Sequence, residues 1–123
     1  MCRMLLSIKP EFVEEILSGN KKYEYRRVRC KEKIDGILIY ATAPISQIVA
    51  EVSVLGIIED SIYSVWNETK EFSGISKTYY MQYFSGKEKA VAYCLGEVKE
   101  FKRPKQLKEY GLTYAPQSFA YIT

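Results

Sequence analysis

Ile16-Leu17-Ser18-Gly19-Asn20-Lys21-Lys22-Tyr23-Glu24-Tyr25-Arg26 is where a helix hands over to a strand, and the fold is read outward from it. Upstream, Phe12, Val13, Ile16 and Leu17 recur at intervals of one and four, which places them on one side of a helix. Pro10 suits the first turn of that helix, where no backbone N–H is needed, and Glu11, Glu14 and Glu15 complement its positive end. Gly19 is a natural stop, because glycine adopts the left-handed backbone of a helix C-terminus without a Cβ clash. Beyond it, Tyr23-Glu24-Tyr25-Arg26-Arg27-Val28 alternates aromatic and charged residues with the period of two of a half-buried strand. Tyr23, Tyr25 and Arg27 then share one face, and Glu24 and Arg26 share the other.

Before the helix, Arg3 to Ile8 reads as an N-terminal strand. After it, Lys33-Ile34-Asp35-Gly36 turns the chain into Ile37-Leu38-Ile39-Tyr40-Ala41-Thr42, a strand apolar enough to be covered on both faces, which Ala43-Pro44-Ile45-Ser46 breaks. Ile48 to Ile58 is dense in β-branched residues and reads as a long strand bent near Gly56. From Ser61 to Gly86, Trp66 and the run Tyr79, Tyr80, Tyr83 and Phe84 fit a helix lying on the sheet and ending at Gly86. Lys89 to Phe101 returns to strand composition, Pro104 begins a short turn or helix, and Phe119 to Ile122 supplies a last strand. Five to six strands around two to three helices predict an α+β fold, a small mixed β-barrel or half-barrel and not a doubly wound sheet.

With 123 residues, one core and a single domain over 1–123 are expected. A composition 47% hydrophobic and 27% charged belongs to a folded globular chain. No apolar run approaches the roughly 20 residues of a membrane helix, and the opening residues lack a signal-peptide core, so a cytoplasmic protein without membrane contact is expected. Cys2, Cys30 and Cys94 form no C-x-x-C pair and read as reduced thiols. Histidine is absent, which removes the commonest general base and transition-metal ligand. Neither a metal nor a cofactor is expected, and any chemistry falls to Lys, Glu, Asp, Tyr, Ser, Thr or Cys. The net charge is +3, with Lys21, Lys22, Arg26, Arg27, Arg29, Lys31 and Lys33 close together, a density that attracts phosphate.

Leu6-Ser7-Ile8-Lys9-Pro10, followed by Gly19, Lys21, Glu24 and Arg26 in the pattern G-x-K-x-x-E-x-R, resembles the ASCH domain. Pro116-Gln117-Ser118-Phe119 and Tyr121 are similar to that family's ending. The resemblance implies a PUA-like β-barrel with a cleft between barrel and helices, in a family generally proposed to bind RNA. Some members are amidohydrolases acting on acetylated pyrimidine nucleosides, and others are ribonucleases. The amidohydrolase-like members carry a threonine three positions beyond the motif lysine, where this chain has Glu24. A carboxylate does not replace a hydroxyl nucleophile.

Lys21, leaving the helix end, is the expected centre of the site: an ammonium there attracts phosphate or polarises a carbonyl. Glu24 and Arg26, two apart on one strand face, are expected to pair and so to fix the guanidinium for a planar or anionic partner. Glu51 is the candidate later glutamate, provided that Lys21 or Arg26 partners it. Lys9, Tyr40, Ser46, Gln117 and Ser118 are further ligand-binding candidates, with Ser46 also readable as a turn cap. Tyr79, Tyr80 and Tyr83 read either as base-stacking platforms or as core and rim. Two functions follow. One is a module binding RNA or a nucleotide-like small molecule; the alternative is a small hydrolase using Lys21 with Glu24 or Glu51. Oligomeric state is not legible.

Overall fold

A computed structural model describes residues Cys2 to Ile122. In chain order it has β1 (Arg3–Ile8), α1 (Pro10–Ser18), β2 (Tyr23–Arg26), β3 (Gly36–Ala41), β4 (Gln47–Ser61), α2 (Ile62–Thr69), a 3-10 turn (Lys70–Phe72), α3 (Lys77–Tyr83), β5 (Lys89–Lys105), a second 3-10 turn (Leu107–Tyr110) and β6 (Phe119–Ile122). The strands make one sheet in the order β2-β5-β4-β3-β1-β6. Only β1 and β3 pair in parallel, the other neighbours being antiparallel. The expected mixed half-barrel is the observed fold. Among the described residues no helix is long and apolar enough to cross a membrane.

The curl comes from β4 and β5, whose pairing slips register between Ile48 and Ala50, between Val52 and Val54, and between Val54 and Gly56. The first slip leaves three extra residues on β5 and each of the other two leaves one extra residue on one strand, which bends the strands and raises their twist. The bend expected at Gly56 is the last of these irregularities. Tight packing enforces the path at Gly96, where a Cβ would collide with Ser53 Oγ and Leu55 Cδ2.

Two expectations need correction. The segment Ser61 to Gly86 is not one helix but α2, a 3-10 turn and α3. Ser61 caps α2 by accepting the Ser64 N–H at 3.2 Å, and Ser76 caps α3 by accepting the Tyr79 N–H at 3.0 Å. Two local caps thus start two helices where aromatic periodicity alone suggested one. Pro104 does not begin a turn: β5 runs through it to Lys105. It is tolerated because it falls in the irregular stretch between the paired residues Glu100 and Lys105, where the ladder does not require its missing N–H.

Alternation along the strands sorts side chains into three buried groups. Met4, Leu6 and Ile8 of β1, Ile37, Ile39 and Ala41 of β3, and Val91, Tyr93 and Leu95 of β5 pack with Val13 and Ile16 of α1. Leu5, Leu38, Tyr40, Ile48 and Ile122 face the other way, against the segment around Leu107 and Tyr110. Tyr25, Ala90 and Ala92 pack under Val65 and Trp66 of α2 and Tyr80 of α3. Every residue of β3 is buried, as its unbroken apolar run implied. Ile39 lies fully buried in the first group, so Ile39→Ala is expected to lower unfolding free energy by about 2–5 kcal/mol, read by urea denaturation.

Candidate functional site

Gly19 ends α1 with φ 89°, and its N–H bonds the Ile16 carbonyl at 3.2 Å. The Lys21 N–H then returns to the Glu15 carbonyl at 2.9 Å, and the Lys22 N–H reaches the Phe72 carbonyl at 2.8 Å. Pinned between α1 and the first 3-10 turn, the chain directs Lys21 inward, where it is 3% exposed. Its Nζ donates to the Ser73 carbonyl at 2.7 Å and lies 3.9 Å from Glu24 Oε1. The rings of Tyr25 and Phe12 flank it, with centroids 4.9 and 5.6 Å from Nζ. Gly74, at φ +68°, passes so close to the lysine stem that any Cβ there would overlap Lys21 Cβ, Cγ and Cδ.

Burial strips water from this ammonium and pulls its pKa below the usual lysine value; Glu24 opposes that shift and Arg26 adds to it. Desolvation wins because the nearest carboxylate is at the outer limit of an ion pair and is shared. Glu24, 7% exposed, turns Oε2 to Arg26, which donates from Nη2 at 2.9 Å and from Nε at 3.2 Å. Arg26 Nη2 also donates to the Ser7 carbonyl at 3.0 Å, tying β2 to β1, which lie far apart in strand order. These bonds use Nε and Nη2, and none uses Nη1. The pairing expected from the two-residue spacing is therefore present, with both cations gathered on one carboxylate.

This group opens onto a cavity of about 160 Å³ between the end of β1, α1, β2 and α3. Lys9, Lys21, Glu24 and Arg26 all line it, together with Ser7, Phe12 and Tyr25. Tyr79 and Tyr83 of α3, with Ile75 just before it, form another side. Tyr79 and Tyr83, one turn apart on α3, stack with centroids 6.5 Å apart and planes 10° apart. Burial raises the Tyr83 pKa, although nearby Arg26 works the other way, so its hydroxyl stays a donor at neutral pH. Tyr80, in contrast, is core: its ring is fully buried and its hydroxyl donates to the Ile62 carbonyl at 2.7 Å.

The other predicted residues are not brought to this cavity. Glu51, on β4, pairs with Arg3 at 3.5 Å, and neither Lys21 nor Arg26 partners it. Tyr40 points into the Leu5, Leu38 and Ile122 group because strand alternation sends it to the opposite face from Ile39. Ser46 sits exposed in the turn after β3 with φ 53°. Gln117 and Ser118 lie in the loop before β6, where Ser118 contributes its carbonyl to the Ser7 N–H at 3.5 Å. The dense basic stretch is likewise dispersed: Lys21 is buried, Arg29 pairs with Glu59 at 3.5 Å, and Lys22 lies over the Phe72 ring.

Sequence reasoning did not single out Ser7, Phe12, Ser73 or Gly74. Ser7 brings a hydroxyl to the cavity, donated to the Pro116 carbonyl at 2.8 Å. Ser73-Gly74 lies in an otherwise ordinary polar turn, and nothing in its composition marks it as the seat of a lysine 52 residues away. Among the described residues no group of three or more Cys, Asp or Glu could hold a metal ion.

Comparison with known proteins adds the lineage. The ASCH domain profile matches residues 6–111. The chain belongs to the ASCH domain family. An ASCH domain-containing ribonuclease of Zymomonas mobilis subsp. mobilis is 31% identical over 123 residues, covering 96% of this chain and 82% of that protein. The crystal structure of ASCH from Zymomonas mobilis superimposes with a TM-score of 0.89 at 29% identity, covering 98% of this chain and 87% of that one. The ATP synthase subunit alpha of Ureaplasma parvum serovar 3 is 27% identical over 120 residues, which is 97% of this chain but 15% of that protein. This ASCH chain therefore spans a small fraction of that relative's length. The PUA-like fold implied by Gly19, Lys21, Glu24 and Arg26 is the fold the chain has.

Two outcomes follow for this ASCH site. Glu24→Ala leaves Lys21 and Arg26 buried without their shared carboxylate, and is expected to cost about 3–5 kcal/mol of unfolding free energy in urea titrations. Lys21 has a lower pKa folded than unfolded, so between its folded value and about 10.4 the unfolded chain binds more protons there. Wild-type stability is thus expected to rise relative to Lys21→Met as pH increases through that window, measured by paired denaturation curves.

Proposed function

We propose that the cavity binds one base or nucleotide unit of RNA. The observation that carries this reading is the pair of cations, Lys21 and Arg26, held on one buried carboxylate against a cavity of about 160 Å³ walled by aromatic rings. Two cations and one anion leave a net positive charge, and Lys9 at the wall adds another. Such a site favours phosphate oxygens and base carbonyls as acceptors. Its aromatic side supplies flat apolar surface suited to a base. The family membership and the Zymomonas ribonuclease support the same ligand class. Glu24, with both oxygens already engaged, acts as the anchor that aims the cations.

A second reading, cleavage of the RNA backbone, is favoured by the lowered pKa of Lys21. A lysine that sheds its proton more readily can take the proton of a ribose 2′-hydroxyl. The 2′-oxygen then bonds to the adjacent phosphorus, the bond from phosphorus to the 5′-oxygen breaks, and that oxygen leaves with a proton returned from the Lys21 ammonium. The amidohydrolase variant of the hydrolase reading has less support, because Glu24 stands where a threonine hydroxyl would be required.

Binding of short single-stranded RNA, measured by fluorescence anisotropy, is expected to weaken steadily with added salt. Arg26→Gln and Lys21→Met are each expected to reduce affinity about tenfold or more, the loss of a charged hydrogen bond. Affinity insensitive to salt, or to both substitutions, sinks the binding reading. For cleavage, turnover of the same RNAs should vanish in Lys21→Met; equal product from the variant and wild type would discard it.

A further inference from the structure

Two cations outside the Lys21, Glu24 and Arg26 group lie on the aromatic rings of α3 that line the cavity. Lys9, exposed at the end of β1, lines the cavity and holds Nζ 5.6 Å from the ring centroid of Tyr79. Arg27, exposed just past β2, lies 4.3 Å over the ring of Tyr83 and is fixed there by an Nε–H bond to the Tyr83 carbonyl at 2.7 Å. Those two tyrosines are stacked on each other and both line the cavity. Each cation therefore rests on one of the paired rings: Lys9 lines the cavity itself, and Arg27 lies on the Tyr83 ring that lines it. Among the described residues neither Lys9 nor Arg27 joins an ion pair.

Arg27 in particular is held in place. A guanidinium bonded through Nε to a backbone carbonyl and laid on an aromatic face has lost much of its rotamer freedom, and its remaining N–H groups are held at a fixed place. A carboxylate partner would neutralise such a cation; none of the ion pairs supplies one. The nearby cavity of about 160 Å³ accommodates a base-sized group and is open to solvent on one side. Phosphates attached to a base in the cavity would extend through that opening, past Lys9 on the wall and Arg27 on the Tyr83 ring.

We infer that Lys9 and Arg27 form a phosphate-binding rim on the two stacked tyrosines, so that the ligand is a continuous single strand of RNA with one base in the cavity. A free nucleoside engages the cavity alone. This inference rests on the proposed RNA-binding reading and specifies which form of RNA chemistry the site takes. Arg27, just past β2, is absent from the G-x-K-x-x-E-x-R pattern, so its role comes from placement alone.

The test compares wild type with Lys9→Gln, Arg27→Gln and the double variant, using a single-stranded RNA heptamer and an unphosphorylated nucleoside as probes. Both side chains are exposed, and thermal melts verify that the variants stay folded. In plots of log affinity against log salt for the heptamer, each substitution is expected to flatten the slope by about 0.7, and the double variant by about 1.4. The ratio of heptamer to nucleoside affinity should fall in parallel. An unchanged slope and ratio in the double variant, with both probes still bound, overturns the rim while leaving the cavity reading intact. If wild type binds neither probe, the cavity reading fails and the rim falls with it.

Discussion

The carboxylate of Glu24 is the point on which the site is built. Glu24 Oε2 receives two N–H groups of Arg26, and Oε1 faces the Lys21 ammonium, so one nearly buried anion holds two nearly buried cations. Neither cation would be stable in that position alone, because the penalty for removing an isolated charge from water exceeds what a single carbonyl returns. The second bond of Arg26, to the Ser7 carbonyl, extends this constraint to the backbone: it joins β2 to β1 across the opening of the curled sheet. A polar cluster thus does at the mouth of the half-barrel what ladder hydrogen bonds do along its wall.

Lys21 shows the opposite balance. Its surroundings are one carbonyl, one distant share of a carboxylate and two aromatic rings, and the net effect is to make the charged form less favourable than in water. A side chain kept buried under those terms, with Gly74 lacking the Cβ that would displace it, is poorly accounted for by stability. Ionisable groups whose pKa is shifted by burial and that face a cavity are enriched at functional sites. The same desolvation that weakens its charge strengthens any hydrogen bond it makes to a ligand entering the cavity.

The sheet's geometry makes this placement possible. Register slips along β4 and β5 curl the sheet so that α1, β2 and α3 converge, although they are separate in the chain. Tyr25 has two tasks in consequence. Its ring walls the cavity and supports Lys21, while its hydroxyl donates to Thr69 Oγ1 at 2.7 Å and anchors β2 to α2. The cavity wall and the core beneath α2 and α3 are therefore one mechanical unit.

The strands, α1, the Gly19 stop and the pairing of Glu24 with Arg26 were legible in the amino-acid sequence. They depend on periodicity, helix-end chemistry and a spacing of two, all local properties of the chain. Glu51 and Tyr40 show where that reading ends, since neither residue's strand parity reveals which side of a curled sheet carries the cavity. Ser73-Gly74 had no legible role, because its role consists of meeting a lysine that is distant in sequence. The basic stretch from Lys21 to Lys33 looked like one patch, yet β2 alternation and separate partners divide it among core, ion pair and rim. The sequence determined which elements form and which charges can pair at short range. Only tertiary packing decided which charges lose their water and which keep a free face, because desolvation depends on everything that surrounds a group and not on its neighbours along the chain.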